Sequence, residues 1–197
     1  MSAKVTNSIN DAALVIQQGG VVICPSEGVY GISCSLFNED AIKRVIKIKE
    51  RDIAKGLIIV DSSLDTLKTY LDEKRVDDKS KALLKKYWPG PHTFVLPVVK
   101  TFNSTALREN HTVAIRITAN EYLSALCTMA KTPIISTSAN ISGLSATSSL
   151  DNLDKRLYQR VDLILDLPCG GQKEPTSIYD TLNHTLVRKG PNWADHD

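Results

Sequence analysis

The chain has 197 residues, 24 of them Lys or Arg against 22 Asp or Glu, a formal net charge of +2 and a hydrophobic share of 42%. That apolar content excludes disorder as the main state, and the near-balanced charge leaves out the strongly basic arms of general nucleic-acid binders, though not a local basic patch. No run approaches ~18 consecutive apolar residues, and the N-terminus lacks the basic start and apolar stretch of a signal peptide, so the sequence predicts one cytosolic domain over 1–197 with no membrane partner.

Read in chain order, helical and extended periods alternate without repeats or a separating linker, which predicts an α/β fold. Ser8 is placed to cap a helix with Ile9, Ala12, Ala13 and Ile16 on one face, and Gly19-Gly20 ends it before a strand over 21–24 that stops at Pro25. A loop at Ser26-Glu27-Gly28 leads to an extended run from Val29 to Cys34. Asn38 then caps a helix with Ile42, Val45 and Ile46 inward and a basic outer face. Leu57-Ile58-Ile59-Val60 has the continuous apolar pattern of a strand buried on both faces. Helical periods follow around 64–71 and 80–88, and Trp88-Pro89-Gly90-Pro91 breaks the second.

Strands are predicted at 93–98 and 113–117. In the latter, Val113, Ile115 and Ile117 alternate with Ala114 and Arg116, so Arg116 turns away from its apolar neighbours. A helix from Glu121 to Ala130 leads to Pro133-Ile134-Ile135 and a loop from Ser136 to Gly143. The remainder reads as a helix near 150–158, a strand over 161–166, a Gly/Pro loop, and two strands around 176–181 and 185–189 joined as a hairpin at Asn183-His184. That hairpin predicts a mixed sheet. The cysteines at 24, 34, 127 and 169 show no Cys-x-x-Cys pair and read as buried thiols.

Two clusters carry chemistry. Lys43, Arg44, Lys47, Lys49, Arg51 and Lys55 are six cations within thirteen residues. Lys43 and Lys47 suit a solvated helix face; charge alone leaves Lys49, Arg51 and Lys55 open between that and a phosphate grip at a strand edge. The second cluster, Ser136-Thr137-Ser138-Ala139-Asn140, sits where an α/β sheet offers hydrogen-bonding groups to a ligand, or forms a turn that bonds its own backbone. No nucleophile elbow, P-loop or Gly-x-Gly-x-x-Gly is present. Glu27 is a lone carboxylate past a strand end, suited to a metal, a substrate amine or a structural contact. Residue chemistry alone therefore predicts a cationic cleft for a phosphate-bearing ligand.

In order, Pro25-Ser26-Glu27-Gly28-Val29-Tyr30-Gly31, Lys49-Glu50-Arg51, Trp88-Pro89-Gly90-Pro91-His92-Thr93, Val113-Ala114-Ile115-Arg116, Ser136 to Gly143, and Thr176-Ser177-Ile178 with Arg188 resemble the motifs of the YrdC/Sua5 family of threonylcarbamoyl-adenylate synthases. The resemblance spans almost the whole chain. It implies a single-domain YrdC-like fold, a twisted mixed sheet flanked by helices around a concave basic cleft. It also implies a reaction joining L-threonine, bicarbonate or CO2, and ATP with Mg2+ into threonylcarbamoyl-AMP and pyrophosphate. A separate transferase complex would then modify adenosine 37 of tRNA.

By motif position the resemblance assigns Lys49 and Arg51 to catalysis at the phosphates. Arg51, Lys55, Thr112, Asn140, Ser148 and Arg188 fall to ATP, and Ser26, Gly28, Arg116, Ser138 and Thr176 to threonine. Ser26 stands where the family usually has Thr, Gly28 where many relatives have Thr, Asp52 where Pro is common and Val60 where long-chain relatives have His. An RNA-binding module without synthase activity, contacting tRNA or duplex RNA through a basic cleft, is the second reading. Related carbamoyl-adenylate chemistry in hydrogenase maturation belongs to much larger chains with zinc-finger motifs that are missing here.

Overall fold

The computed structural model describes residues 2–50, 57–172, 175–190 and 193. Ten strands among them form one sheet: β1 Lys4–Thr6, β2 Val22–Pro25, β3 Tyr30–Ser35, β4 Ile58–Asp61, β5 His92–Pro97, β6 Thr112–Ile117, β7 Ile134–Ser138, β8 Leu163–Leu165, β9 Ser177–Asp180 and β10 Thr185–Arg188. Their order is β1-β8-β2-β3-β7-β4-β6-β5-β9-β10. Parallel pairs (β1 with β8, β4 with β6, β5 with β9) mix with antiparallel ones, and the expected twisted mixed sheet with flanking helices is borne out.

Five α-helices accompany the sheet among the described residues: α1 Ile9–Gln17, α2 Glu39–Lys49, α3 Asp65–Lys68, α4 Asp78–Tyr87 and α5 Glu121–Ala130. Ser8, Asn38, Asp77 and Asn120 each accept a backbone N–H three residues on, satisfying donors that the first helical turn leaves unpaired.

Cross-strand partners share a face, so register sorts the sheet into two sides. Ile32, Cys34, Ile59, Phe94, Ile115 and Ile135 are fully buried on one side, in a core completed by Ile42, Val45 and Ile48 of α2, Leu67 of α3, and Leu83 and Tyr87 of α4. Each of the fully buried aliphatic chains contributes roughly 1.5–3 kcal/mol relative to exposure. On the other side α1 and α5 pack over Val22, Cys24, Val60, Ile134 and Leu163. They cover only part of that face. Where β3, β7 and β6 turn Gly31, Ser136, Ser138 and Arg116 to the same side, the sheet floors a cleft.

Several expectations are corrected. Strand β1 has no apolar alternation, with Val5 half exposed, and forms because β8 offers it a parallel edge. Ser136-Thr137-Ser138 continues β7 through pairing with β3 instead of opening a loop. Residues 150–158 form two short 3-10 turns, Leu150–Asn152 and Lys155–Gln159, instead of one helix. Ile48 takes an inward place on α2 and Ile46 is half-buried. The hairpin of β9 and β10 is present, with a bulge before Arg188. Cys24, Cys34 and Cys127 are buried thiols and Cys169 is half-buried; burial pushes the Cys24 thiol up to about 12.

Candidate active site

The cleft is a cavity of about 490 Å³ bounded by the β2–β3 loop, the end of α2, the strand ends of β6 and β7, and the segment leading into β9. Its described lining holds Lys49, Arg108, Arg116 and Arg188 against the single carboxylate of Glu27. The hydroxyls and amides of Ser26, Ser136, Thr137, Ser138, Asn140, Ser142, Gln172 and Thr176 fill the wall between. Four cations facing one anion across a cavity this small favour a multiply anionic ligand.

One corner is built on Lys49, the last residue of α2. The αL conformation of Glu50, φ 49°, ends the helix and lets the buried Lys49 reach the sheet edge. Its ammonium donates to Ser138 O at 2.6 Å, Asn140 O at 2.6 Å and Asn140 Oδ1 at 2.7 Å. Ser138 Oγ also donates to Asn140 Oδ1 at 2.6 Å, so the loop after β7 is held in one conformation from three directions. Lys49 is therefore a buried organiser of the loop, at a position that charge alone leaves open and that the family resemblance assigns to the phosphates. Lys43, by contrast, is exposed and pairs loosely with Asp40 at 3.8 Å, and Arg44 pairs with Asp162 across the fold.

The opposite corner is built on arginines. Arg116, 4% exposed, projects from β6 as its alternation requires. Its NH2 lies 2.9 Å from Glu27 Oε2, and NH1 donates to Thr176 Oγ1 at 3.4 Å. Thr118 Oγ1 donates to Glu27 Oε1 at 2.7 Å. The Nε of Arg116 is buried without a hydrogen-bond partner among the described residues. Arg188 reaches the same threonine, donating from Nε to Thr176 O at 2.7 Å and from NH2 to Thr176 Oγ1 at 3.1 Å. Thr176 thus joins two arginines that the family resemblance assigns to different ligands.

The β2–β3 loop forms the near wall. Ser26 Oγ donates to Val29 O at 2.8 Å, while Ser26 O accepts from Gly170 N and Glu27 O accepts from Gln172 N. Gly28 has no side chain there for a packing reason: a Cβ would overlap the carbonyl oxygen of Gln172.

Of the residues named from sequence, Lys49, Asn140, Arg188, Ser26, Gly28, Arg116, Ser138 and Thr176 all line this cavity. Arg51 and Lys55 lie outside the described residues. Thr112 lines an adjoining depression of about 240 Å³ that shares Arg108 with the cleft. Ser148 is exposed and outside the cavity's lining, while Ala146 of the same segment is part of it. Arg108 and Gln172 escaped the sequence reading because each stands alone in a loop, outside any charge cluster or period. The isolated bridge between Arg108 and Thr112 is what brings that arginine to the cleft.

A family model described as Telomere recombination, Sua5_yciO_yrdC, matches residues 14–190. The threonylcarbamoyl-AMP synthase of Xanthomonas campestris pv. campestris (strain B100) is 35% identical over 183 residues, which cover 93% of this chain and 98% of that one. Among solved structures, P. abyssi Sua5 complexed with L-threonine superposes with a TM-score of 0.80 at 29% identity, covering 91% of this chain and 53% of that one. This chain therefore spans about half the length of that Sua5. E. coli YciO superposes with a TM-score of 0.80 at 26% identity, over 97% of both chains.

Proposed function

Because the chain belongs to the Sua5/YciO/YrdC family, we propose that it is an L-threonylcarbamoyladenylate synthase. The observation that carries this reading is the cleft itself: five of the six family motifs supply residues to its walls, and its charge suits two anionic reactants. The curated relative named for this activity matches over almost its full length.

In the reaction, the amine of threonine adds to the carbon of bicarbonate, a C–O bond breaks and water leaves, giving a carbamate. One carbamate oxygen then attacks the α-phosphorus of ATP, and the bond to the β-phosphate breaks to release pyrophosphate. Both partners of the attack are anions, so the site's work is to hold them together and neutralise charge as it moves onto the leaving group. Arg116 is assigned to the threonine carboxylate and Arg188, with Arg51, to the phosphates. Lys49 and Asn140 hold the loop against which the nucleotide lies. Ser26, Ser138 and Thr176 are assigned hydrogen bonds to the amino acid. No general base is required once the carbamate has formed, which fits a cavity without a nucleophile–base pair.

The described donor set does not fit a protein-held Mg2+: the one carboxylate in the cavity, Glu27, is engaged by Arg116 and Thr118. Magnesium enters as the counter-ion of ATP. The product passes to a separate transferase complex acting on adenosine 37 of tRNA, and a cytosolic site of action belongs to the same reading. No helix among the described residues is long and apolar enough to cross a membrane.

RNA binding without catalysis is not favoured. Single-strand recognition uses exposed rings as stacking platforms. Here Trp193 is buried and stacked on Tyr87 and Tyr179, with ring centroids 4.8 and 5.4 Å apart. A substrate-omission assay tests the proposal: pyrophosphate release should require ATP, bicarbonate and L-threonine together. Equal release without an amino acid would refute it.

A further inference from the structure

We propose that Glu27 is a positioning residue that keeps Arg116 at the amino-acid end of the cleft and away from the polyphosphate. The inference rests on the synthase reading of the site. Three observations carry it. Glu27 is the single carboxylate among the described lining residues, and it is buried at 7% exposure instead of standing in solvent as a loop carboxylate usually does. Its Oε1 accepts from Thr118 Oγ1 at 2.7 Å, and Oε2 lies 2.9 Å from Arg116 NH2 in an ion-pair contact, with no hydrogen bond to Oε2 among the described residues. The Arg116 guanidinium, paired at NH2 with Glu27 and at NH1 with Thr176, keeps a buried Nε–H that has no acceptor among the described residues.

A buried N–H without an acceptor is costly unless a ligand supplies one, so this nitrogen is the donor offered to an incoming carboxylate. The need for an anchor follows from charge. An arginine side chain is long and rotatable, and a triphosphate bound in the same cavity is a stronger attractor than a single carboxylate. Without the carboxylate opposite NH2, Arg116 would swing toward the phosphates and leave the amino acid unheld. The anchor is itself fixed, because the β2–β3 loop carrying Glu27 is tied through Glu27 O to Gln172 N and through Ser26 O to Gly170 N.

Steady-state kinetics on Glu27→Gln, Thr118→Val, Arg116→Lys and the double variant Glu27→Gln/Arg116→Lys test the assignment. Glu27→Gln should raise the KM for threonine about tenfold, the scale of one charged contact, with the KM for ATP unchanged or lower and kcat at saturating threonine little changed. Thr118→Val keeps the carboxylate charge and should move the threonine KM in the same direction by less. In the Arg116→Lys background the Glu27→Gln change should add less than about twofold, because residues acting through one another are not additive.

A threonine KM untouched by both single variants would overturn the proposal, as would equal rises for threonine and ATP. An effect of Glu27→Gln that is the same whichever residue stands at 116 would make Glu27 a direct substrate contact, and would also overturn it. Should Glu27→Gln fail to fold, Thr118→Val decides alone by the same split. Wild-type enzyme that releases no threonine-dependent pyrophosphate removes the synthase reading and this inference together; active wild type with silent variants removes this inference only.

Discussion

The ammonium of Lys49 donates to both the main-chain and the side-chain oxygen of Asn140, at 2.6 and 2.7 Å, joining the end of α2 to the loop after β7. Two motifs ninety-one residues apart are thereby one structural unit. The cation's contribution to catalysis runs through the loop it holds.

Removing that ammonium takes a charged donor from the carbonyl oxygens of Ser138 and Asn140 and from Asn140 Oδ1, leaving Ser138 O its bond from Asn140 N and Oδ1 its bond from Ser138 Oγ. Lys49→Ala should therefore lower stability by about 2 kcal/mol and reduce turnover strongly. Lys43→Ala, on the exposed face of the same helix, should change stability by less than ~0.5 kcal/mol and leave turnover intact. Thermal melts and turnover measured side by side check this; a Lys49→Ala protein that melts like wild type would contradict the organising role.

Arg116→Lys keeps the charge and loses the planar fork, so the apparent KM for threonine should rise much more than that for ATP. Asn140→Ala should show the reverse bias. Thr176→Val removes the oxygen that accepts from both Arg116 and Arg188 and should raise both constants. Titrating threonine and ATP separately for each variant decides it, and an Arg116→Lys enzyme impaired for ATP alone would contradict the division.

Restoring at residue 28 the threonine that many relatives carry should harm this chain. The Cβ would overlap the Gln172 carbonyl, so the 170–172 segment must move and give up its bonds to Ser26 and Glu27. Gly28→Thr should lower the melting temperature by several degrees, on the scale of about 1–2 kcal/mol, and raise the KM for threonine. Unchanged stability would show that the wall yields without cost.

His92, tilted against the Tyr87 ring and 2.7 Å from Ser177 Oγ through Nδ1, is held by burial below the ordinary imidazole pKa. The unfolded chain, titrating near ~6.5, then takes up the proton more readily than the folded one. Its stability contribution is present above that value and is lost as pH falls through the lower folded pKa. The melting temperature should decline on acidification below about pH 6.5, and His92→Gln should flatten that part of the profile. Parallel wild-type and variant profiles would contradict it.

Much of this was legible because period and burial coincide. The helix from Glu121 to Ala130 was read to the residue, since Asn120 caps it and Leu123, Leu126, Cys127 and Ala130 form one buried stripe. Alternation turns Arg116 away from its apolar neighbours, and the family resemblance is what assigns it to threonine. What stayed hidden depends on contacts distant in sequence. β7 runs on through Ser136 to Ser138 because β3 pairs with it, and no local propensity favours a strand of hydroxyl residues. Glu27 looked like a lone turn carboxylate because its partners, Arg116 and Thr118, are 89 and 91 residues away. The burial of Lys49 is masked by its place in a basic run that includes the exposed Lys43 and Lys47 of the same helix.

The most direct test of the central claim follows the carbon. Purified protein incubated with ATP, Mg2+, L-threonine and ¹³C-bicarbonate should yield threonylcarbamoyl-AMP one mass unit heavier than with unlabelled bicarbonate, in step with pyrophosphate. Serine should form its analogue more slowly, since one methyl in a fitted pocket is worth about 1 kcal/mol or somewhat more. Pyrophosphate released without a labelled, threonine-containing adenylate would contradict the account.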